Sequence, residues 1–184
     1  MIVFVSGGCK NGKSTYAEKI AVALSKNAKP LYYIATMSPT DKEDEARIVR
    51  HQQSRKGLGF TTIEQPTDID KIVDKYDVNG TYLLDSTTAL LSNEMFLSDG
   101  SINKNSADSV STQLTNLITK VKNIVIVSDY IYSDAVLYDE FIKLYQKGLA
   151  QADKTVALLA DVVIEICYSQ KIIHKGSNLY ETIF

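Results

Sequence analysis

IVFVSGGCKNGKST, residues 2–15, runs from five apolar-rich positions straight into a pair of glycines, a third glycine at 12, then Lys13 and Ser14. The stretch 7–14, GGCKNGKS, fits the spacing G-x-x-x-x-G-K-[ST] between a buried strand and the start of a helix. The chemistry explains the pattern. Glycines let the backbone turn tightly, so that successive N–H groups at Gly7, Gly8, Cys9, Lys10, Asn11 and Gly12 face a phosphate chain at a helix N-terminus, where the helix dipole favours negative charge. Lys13 is expected to reach the outer phosphates, with Ser14 offering its hydroxyl to Mg²⁺ and Thr15 completing the loop. The bland alternative is a glycine-rich strand-to-helix turn that happens to match. The strand and helix flanks favour nucleotide binding over it.

Beyond this stretch the chain alternates short β-branched runs with longer polar-apolar segments, the rhythm of an α/β fold. Strands are expected at 2–6, 31–35, 60–64, 82–85, 124–128 and 162–167, and helices at 13–27, 41–56, 68–75, 87–97, 107–122 and 135–160. The runs at 31, 82, 124 and 162 are nearly unbroken in apolar character, which suits parallel strands covered on both faces. In the closing KIIHKGSNLYETIF the KGSN tetrapeptide sits between two apolar stretches, so a terminal β-hairpin turning at KGSN is expected. SDGSINKNSAD, residues 98–108, reads as a loop.

The chain has 184 residues, one domain (1–184) by the usual size expectation, with 45% hydrophobic and 23% charged residues. Its formal charge of −2 gives no excess to draw it to nucleic acid or anionic lipid. No stretch approaches the length of a membrane span, and no basic leader precedes the first apolar run. Cys9 and Cys167 lack CxxC spacing, which points away from a disulfide framework or a zinc site and towards a reducing cytoplasm.

A phosphate-binding loop needs a second metal-positioning group, normally an acid at the end of a neighbouring buried strand. TYLLDSTTALLSN supplies Asp85 at that place, beside the loop at the C-terminal edge of the sheet. Capping of the helix that follows is the competing role for this carboxylate. In DKEDEARIVRHQQSRKG, Glu43, Arg47, His51 and Arg55 fall at successive i, i+4 positions and share a helix face. Two neighbouring arginines favour neutral imidazole at His51, the form with a lone pair for attack on phosphorus, and the same guanidiniums suit a triphosphate. Such a stripe is also what an ordinary solvated, salt-bridged helix face looks like.

GGCKNGKS, YIAT at 33–36, the helix carrying His51 and Arg55, FTTIE at 60–64 and LLDSTTALLSN at 83–93 together resemble the adenosylcobinamide kinase/adenosylcobinamide-phosphate guanylyltransferase family. The resemblance implies a RecA-like P-loop fold, a mostly parallel sheet flanked by helices, and assembly as a homotrimer. It also implies an enzyme, a transferase of cobalamin nucleotide-loop assembly. Such an enzyme phosphorylates the aminopropanol hydroxyl of adenosylcobinamide with ATP or GTP, then moves GMP from GTP to that phosphate through a guanylylated histidine. By position His51 matches the nucleophile, Arg47 and Arg55 the arginines of that helix, and Asp85 the acid after the strand. Thr88 and Asn93 match a threonine and an asparagine of the next helix, Phe60 an aromatic position and Glu64 the acid four further on. Lys13, Arg47, Asp85 and His51 are then the catalytic set, and Arg55 and Glu64 join the P-loop in binding nucleotide.

The second half departs from that pattern. Where the family is similar to N-E-V-G-x-G-x-V-P, this chain has DYIYSDAVL at 129–137, without the glycines or the proline, and a later N-Q pair is replaced by Asp153 and Lys154. Tyr130 and Tyr132 suit packing at a strand end as well as a ligand role. Two other readings follow: a P-loop kinase or nucleotidyltransferase of altered substrate, and a nucleotide-binding homologue without turnover. His174, in the expected hairpin, receives no role.

Overall fold

The computed structural model describes residues 1–26, 28–39, 42–132 and 136–184; within these the side chains of Glu43, Asp44, Glu45, Arg47 and Ser54 are not described. Seven strands form one sheet in the order β3-β2-β4-β5-β1-β6-β7. They are β1 (Ile2–Gly7), β2 (Leu31–Ala35), β3 (Phe60–Glu64), β4 (Thr81–Asp85), β5 (Asn123–Asp129), β6 (Val162–Cys167) and β7 (Gln170–Lys175). All neighbours pair parallel except β6 and β7, which pair antiparallel. The helices are α1 (Lys13–Ser25), α2 (Lys42–Ser54), α3 (Thr87–Met95), α4 (Ser106–Lys120), α5 (Glu140–Leu159) and the short α6 (Ser177–Tyr180). This is the mostly parallel, helix-flanked sheet of a RecA-like P-loop fold with an antiparallel hairpin at its C-terminal edge.

Alternation along the strands sorts their side chains into two cores. Phe4, Ile34, Leu84 and Ile126 face α3, α4 and α5, meeting Leu90, Leu114, Leu117, Leu149 and Val156. Val3, Val5, Leu83, Val125 and Ile164 face the other way, against Ala17, Ile20 and Ala21 of α1 and Tyr180 and Ile183 near the C-terminus. Both faces are therefore covered, which accounts for the unbroken apolar runs in the central strands. α2 places no described residue in either core.

Beyond shifts of a residue or two at element ends, three expectations are corrected. Segment 68–75 forms a 3₁₀-helix over Ile69–Asp74 and not an α-helix between β3 and β4. The helix expected from residue 135 starts at Glu140. Asp139 caps it by accepting from the N–H groups of Phe141 and Ile142 at 2.9 and 2.8 Å, and residue 135 lies outside the described residues. The hairpin turns at Tyr168 and Ser169, both in the left-handed region, and not at KGSN. Lys175 still pairs with Val163, and Gly176 then caps α6.

Candidate functional site

β1 delivers the glycine-rich loop to the C-terminal edge of the sheet. Gly7 lies where a Cβ would collide with the Ile166 carbonyl of β6, so no other residue fits without a shift, and Gly12 (φ 89°) turns the chain into α1. The loop is held from outside by Asn11, whose amide donates to the Ile166 carbonyl at 2.5 Å while its oxygen accepts from the Lys13 N–H at 3.2 Å. The Gly7 carbonyl accepts from the Tyr130 N–H at 2.9 Å, which anchors the segment after β5 to the same loop.

Lys13 is buried, with its ammonium donating to the Gly8 carbonyl at 3.1 Å and paired with the Asp129 carboxylate. Asp129 ends β5, and its N–H donates to the Thr88 hydroxyl at 2.9 Å. Asp85, at the end of neighbouring β4, accepts from the Tyr33 hydroxyl at 2.9 Å. Ser86, not Asp85, caps α3 through its hydroxyl, so the Asp85 carboxylate is not spent on the cap. Burial and the adjacent Asp85 charge push the Tyr33 hydroxyl well above its ordinary value, keeping it a neutral donor.

The Tyr33 ring also carries Arg55, whose guanidinium carbon lies 3.4 Å from the ring centroid. Arg55 follows directly on α2, its N–H bonded to the His51 carbonyl at 3.3 Å. It is 7% exposed, and its Nη1 has no hydrogen-bond partner among the described residues, leaving a buried cation with a donor to give. Phe60 meets Tyr33 edge-on with centroids 6.0 Å apart, filling the aromatic position expected there.

A cleft of about 930 Å³ gathers these elements. Its lining includes the loop from Cys9 to Thr15, Asp85 and Asp129 at strand ends, Thr88 and Asn93 of α3, and His51, Arg55 and Glu64. Residues read as one site from scattered segments are thus brought to one cavity. Gly7 and Gly8 are not among its lining residues and contribute carbonyls that accept from the Tyr130 N–H and the Lys13 ammonium. The side chain of Arg47 lies outside the described residues; its backbone is one turn before His51 in α2. Asn93 spends its amide on the Thr36 and Pro66 carbonyls at 2.7 and 3.0 Å, fixing the walls of the cleft.

Ser14 and Asp85 offer hard oxygen donors of the sort Mg²⁺ takes when phosphate oxygens and water complete its octahedron. No group of three or more His, Cys, Asp and Glu among the described residues could hold a metal unaided. Ser14 and Asp85 both line the cleft, so the donors present there would fit a magnesium ion carried by a phosphate chain.

Asp129 was not singled out as a site residue from the sequence. The signal was there, since IVIVSD ends an apolar strand in an acid just as TYLLD does. Asp153 carries no mark in the sequence beyond its departure from the family pattern. It is 3% exposed and accepts from the hydroxyls of Ser128, Thr87 and Tyr132 at 2.7, 3.1 and 3.2 Å. Burial pushes its carboxyl up to about 7 against the pull of those three donors, with the Asp129 charge adding to the rise.

Among solved structures, the Pyrococcus horikoshii OT3 protein PH0250 is similar in fold at 14% identity, with a TM-score of 0.52 over 96% of this chain and 86% of that one. The flagellar accessory protein FlaH of Methanocaldococcus jannaschii aligns at 13% identity and a TM-score of 0.46, over 95% and 77%. The bifunctional adenosylcobalamin biosynthesis protein CobU of Escherichia coli (strain K12) is 33% identical over 97 residues, 52% of this chain, so the match spans about half the length of that relative (51%). Residues 3–171 match the family described as cobinamide kinase / cobinamide phosphate guanyltransferase, which takes in the P-loop, α2, both strand-end acids and the β6–β7 turn, and the chain belongs to that family.

Proposed function

We propose that this protein is a cobinamide kinase and cobinamide-phosphate guanylyltransferase that works through a guanylylated His51. The observation that carries the reading is a single cleft lined by both Lys13 with its P-loop and His51 with Arg55. In the transfer reaction a ring nitrogen of His51 attacks the α-phosphorus of GTP, and the bond to the β-phosphate breaks with its electron pair leaving on pyrophosphate. A phosphate oxygen of cobinamide phosphate then attacks the same phosphorus, and the P–N bond pair returns to the imidazole. The P-loop amides and Lys13 hold the leaving pyrophosphate, while the unpartnered Nη1 of Arg55 donates to the transferring group. Ser14 and Asp85 would hold Mg²⁺, which would supply neutralisation of phosphate charge when bound. In the kinase reaction the P-loop positions ATP or GTP, and no covalent enzyme group is required.

Incubation of the purified protein with GTP and Mg²⁺, followed by intact mass measurement, tests this. An acid-labile GMP adduct is expected in the wild type and none in His51→Ala. Bound GTP without an adduct would end the transferase half.

The acceptor end favours a second reading, a P-loop kinase of altered substrate. Tyr130 is half exposed, with its ring centroid 4.7 Å from that of Tyr132, where the family pattern has glycine and a tight turn. Phosphorylation of cobinamide separates the two. A trimer is also part of the proposal, supported by the exposed apolar side chains Val136, Leu137 and Phe141 before and at the start of α5. The expected sedimentation mass is three times the 20.4 kDa of the chain, and a monomer at micromolar concentration would remove that part.

A further inference from the structure

A second hollow, of about 470 Å³, adjoins the P-loop. Its walls come from Tyr16 and Lys19 on α1 and from Ser169, Gln170 and Lys171 at the β6–β7 turn, and α2 lends it no described residue. Asn11, Gly12 and Thr15 line both this hollow and the large cleft, so the two spaces meet across the phosphate-binding loop.

We propose that the hollow seats the purine base of the nucleotide that donates its γ-phosphoryl group, an inference that rests on the kinase half of the function proposed above. In that reaction the acceptor hydroxyl oxygen bonds to the γ-phosphorus. The β–γ bridging P–O bond breaks, its electron pair leaves on the nucleoside diphosphate, and the hydroxyl proton passes to solvent. In-line displacement sets the attacking and departing oxygens on opposite sides of the phosphorus. An acceptor in the large cleft therefore sends the diphosphate back along the loop, away from the cleft, and the ribose and base go with it. The hollow begins where that path ends, at Gly12 and Thr15 in the first turn of α1.

Its walls suit a base. Tyr16 supplies an aromatic ring, while Lys19, Gln170 and Lys171 supply N–H donors for the ring nitrogens and exocyclic acceptors of a purine. The wall is also braced. The Tyr16 and Tyr180 hydroxyls share a hydrogen bond, and Lys171 donates to the Tyr180 hydroxyl at 2.8 Å with its ammonium 4.6 Å from that ring's centroid. The Asn11 bond to the Ile166 carbonyl ties the loop to β6 directly beneath the turn. Attack by His51 makes the opposite demand, because it brings the α-phosphate into the cleft and the base with it. The two half-reactions therefore hold their nucleotides in opposite senses along one P-loop.

Photolabelling of the full chain with 8-azido-ATP and Mg²⁺, followed by tryptic mapping, tests the assignment. Label competed by excess ATP and found in peptide 14–19 or 155–171 is the expected result. Competed label in peptide 51–55, or anywhere else, overturns the hollow as the base site and leaves nucleotide binding at the P-loop standing. Label that ATP does not compete, or no label, overturns both. Independently, Lys19→Glu is expected to raise KM for ATP roughly tenfold in cobinamide phosphorylation, with kcat within about twofold of wild type. An unchanged KM counts against the proposal, as does a loss confined to kcat. A wild type that binds ATP and fails to phosphorylate cobinamide removes the kinase reading itself.

Discussion

Lys13 and Asp129 form an ion pair at the rim of the cleft, with the ammonium side chain 7% exposed and the carboxylate 26%. A phosphate chain arriving at the loop competes with that carboxylate for the same cation. The free energy of nucleotide binding is then what remains after the pair is broken. Removing one partner of such a pair leaves a buried charge in want of an anion, so Asp129→Asn has an unusual sign for a site substitution. It is expected to tighten triphosphate binding about tenfold by titration calorimetry, with some loss of thermal stability. Weaker binding would mean that the carboxylate assists the phosphate. Local pattern made the P-loop glycines, Lys13 and Ser14 legible, because their roles follow from spacing along one stretch. Tyr33 was illegible for the opposite reason. It sits in an apolar strand and looks like core, and only the fold reveals that its hydroxyl serves Asp85 and its ring serves Arg55.

The segment leaving β5 is held at its root by Asp153 of α5, which gathers hydroxyls from β5, α3 and the loop itself. This arrangement has a definite pH signature. In the unfolded chain the carboxyl loses its proton near 3.8, whereas in the fold burial holds it to about 7. The folded state therefore keeps an extra proton between those values, and stability falls as pH rises from about 4 to about 7, then levels off. The change is on the order of a few kcal/mol. Asp153→Asn is expected to flatten this part of a melting-temperature profile, and an unaltered slope would show that other groups set it. Element boundaries were legible where caps and apolar runs agree, as in β1, β2 and β5. They were not at the hairpin. A two-residue turn normally advertises itself with Asn-Gly, and here Tyr168 and Ser169 take the left-handed conformation that glycine would mark. Gly176, the visible turn signal, does its work one element later.

For the whole molecule, parallel pairing at the sheet centre brings the ends of β1, β4 and β5 to one edge, and the cleft opens there between loops of distant sequence. The class of fold was readable because buried parallel strands are apolar throughout. The meeting of Asp129 with Lys13 was not, since it depends on strand order, which places β5 beside β1. No helix among the described residues is long and apolar enough to cross a membrane. α2, which carries His51, adds nothing described to either core. The proposed nucleophile thus sits on an element apart from both cores, and genetic variation can strike it without striking the packing of the sheet. His51 is half-buried but lies outside both cores, so His51→Ala is expected to lower the melting temperature by only a few degrees, roughly 1–4 °C. A larger drop in a thermal scan would reveal packing contributed by the helix. A survey of variants that reads only expression or solubility would under-report the described positions of α2, and lineages in which the proposed transfer has lapsed would keep a well-folded protein as its record.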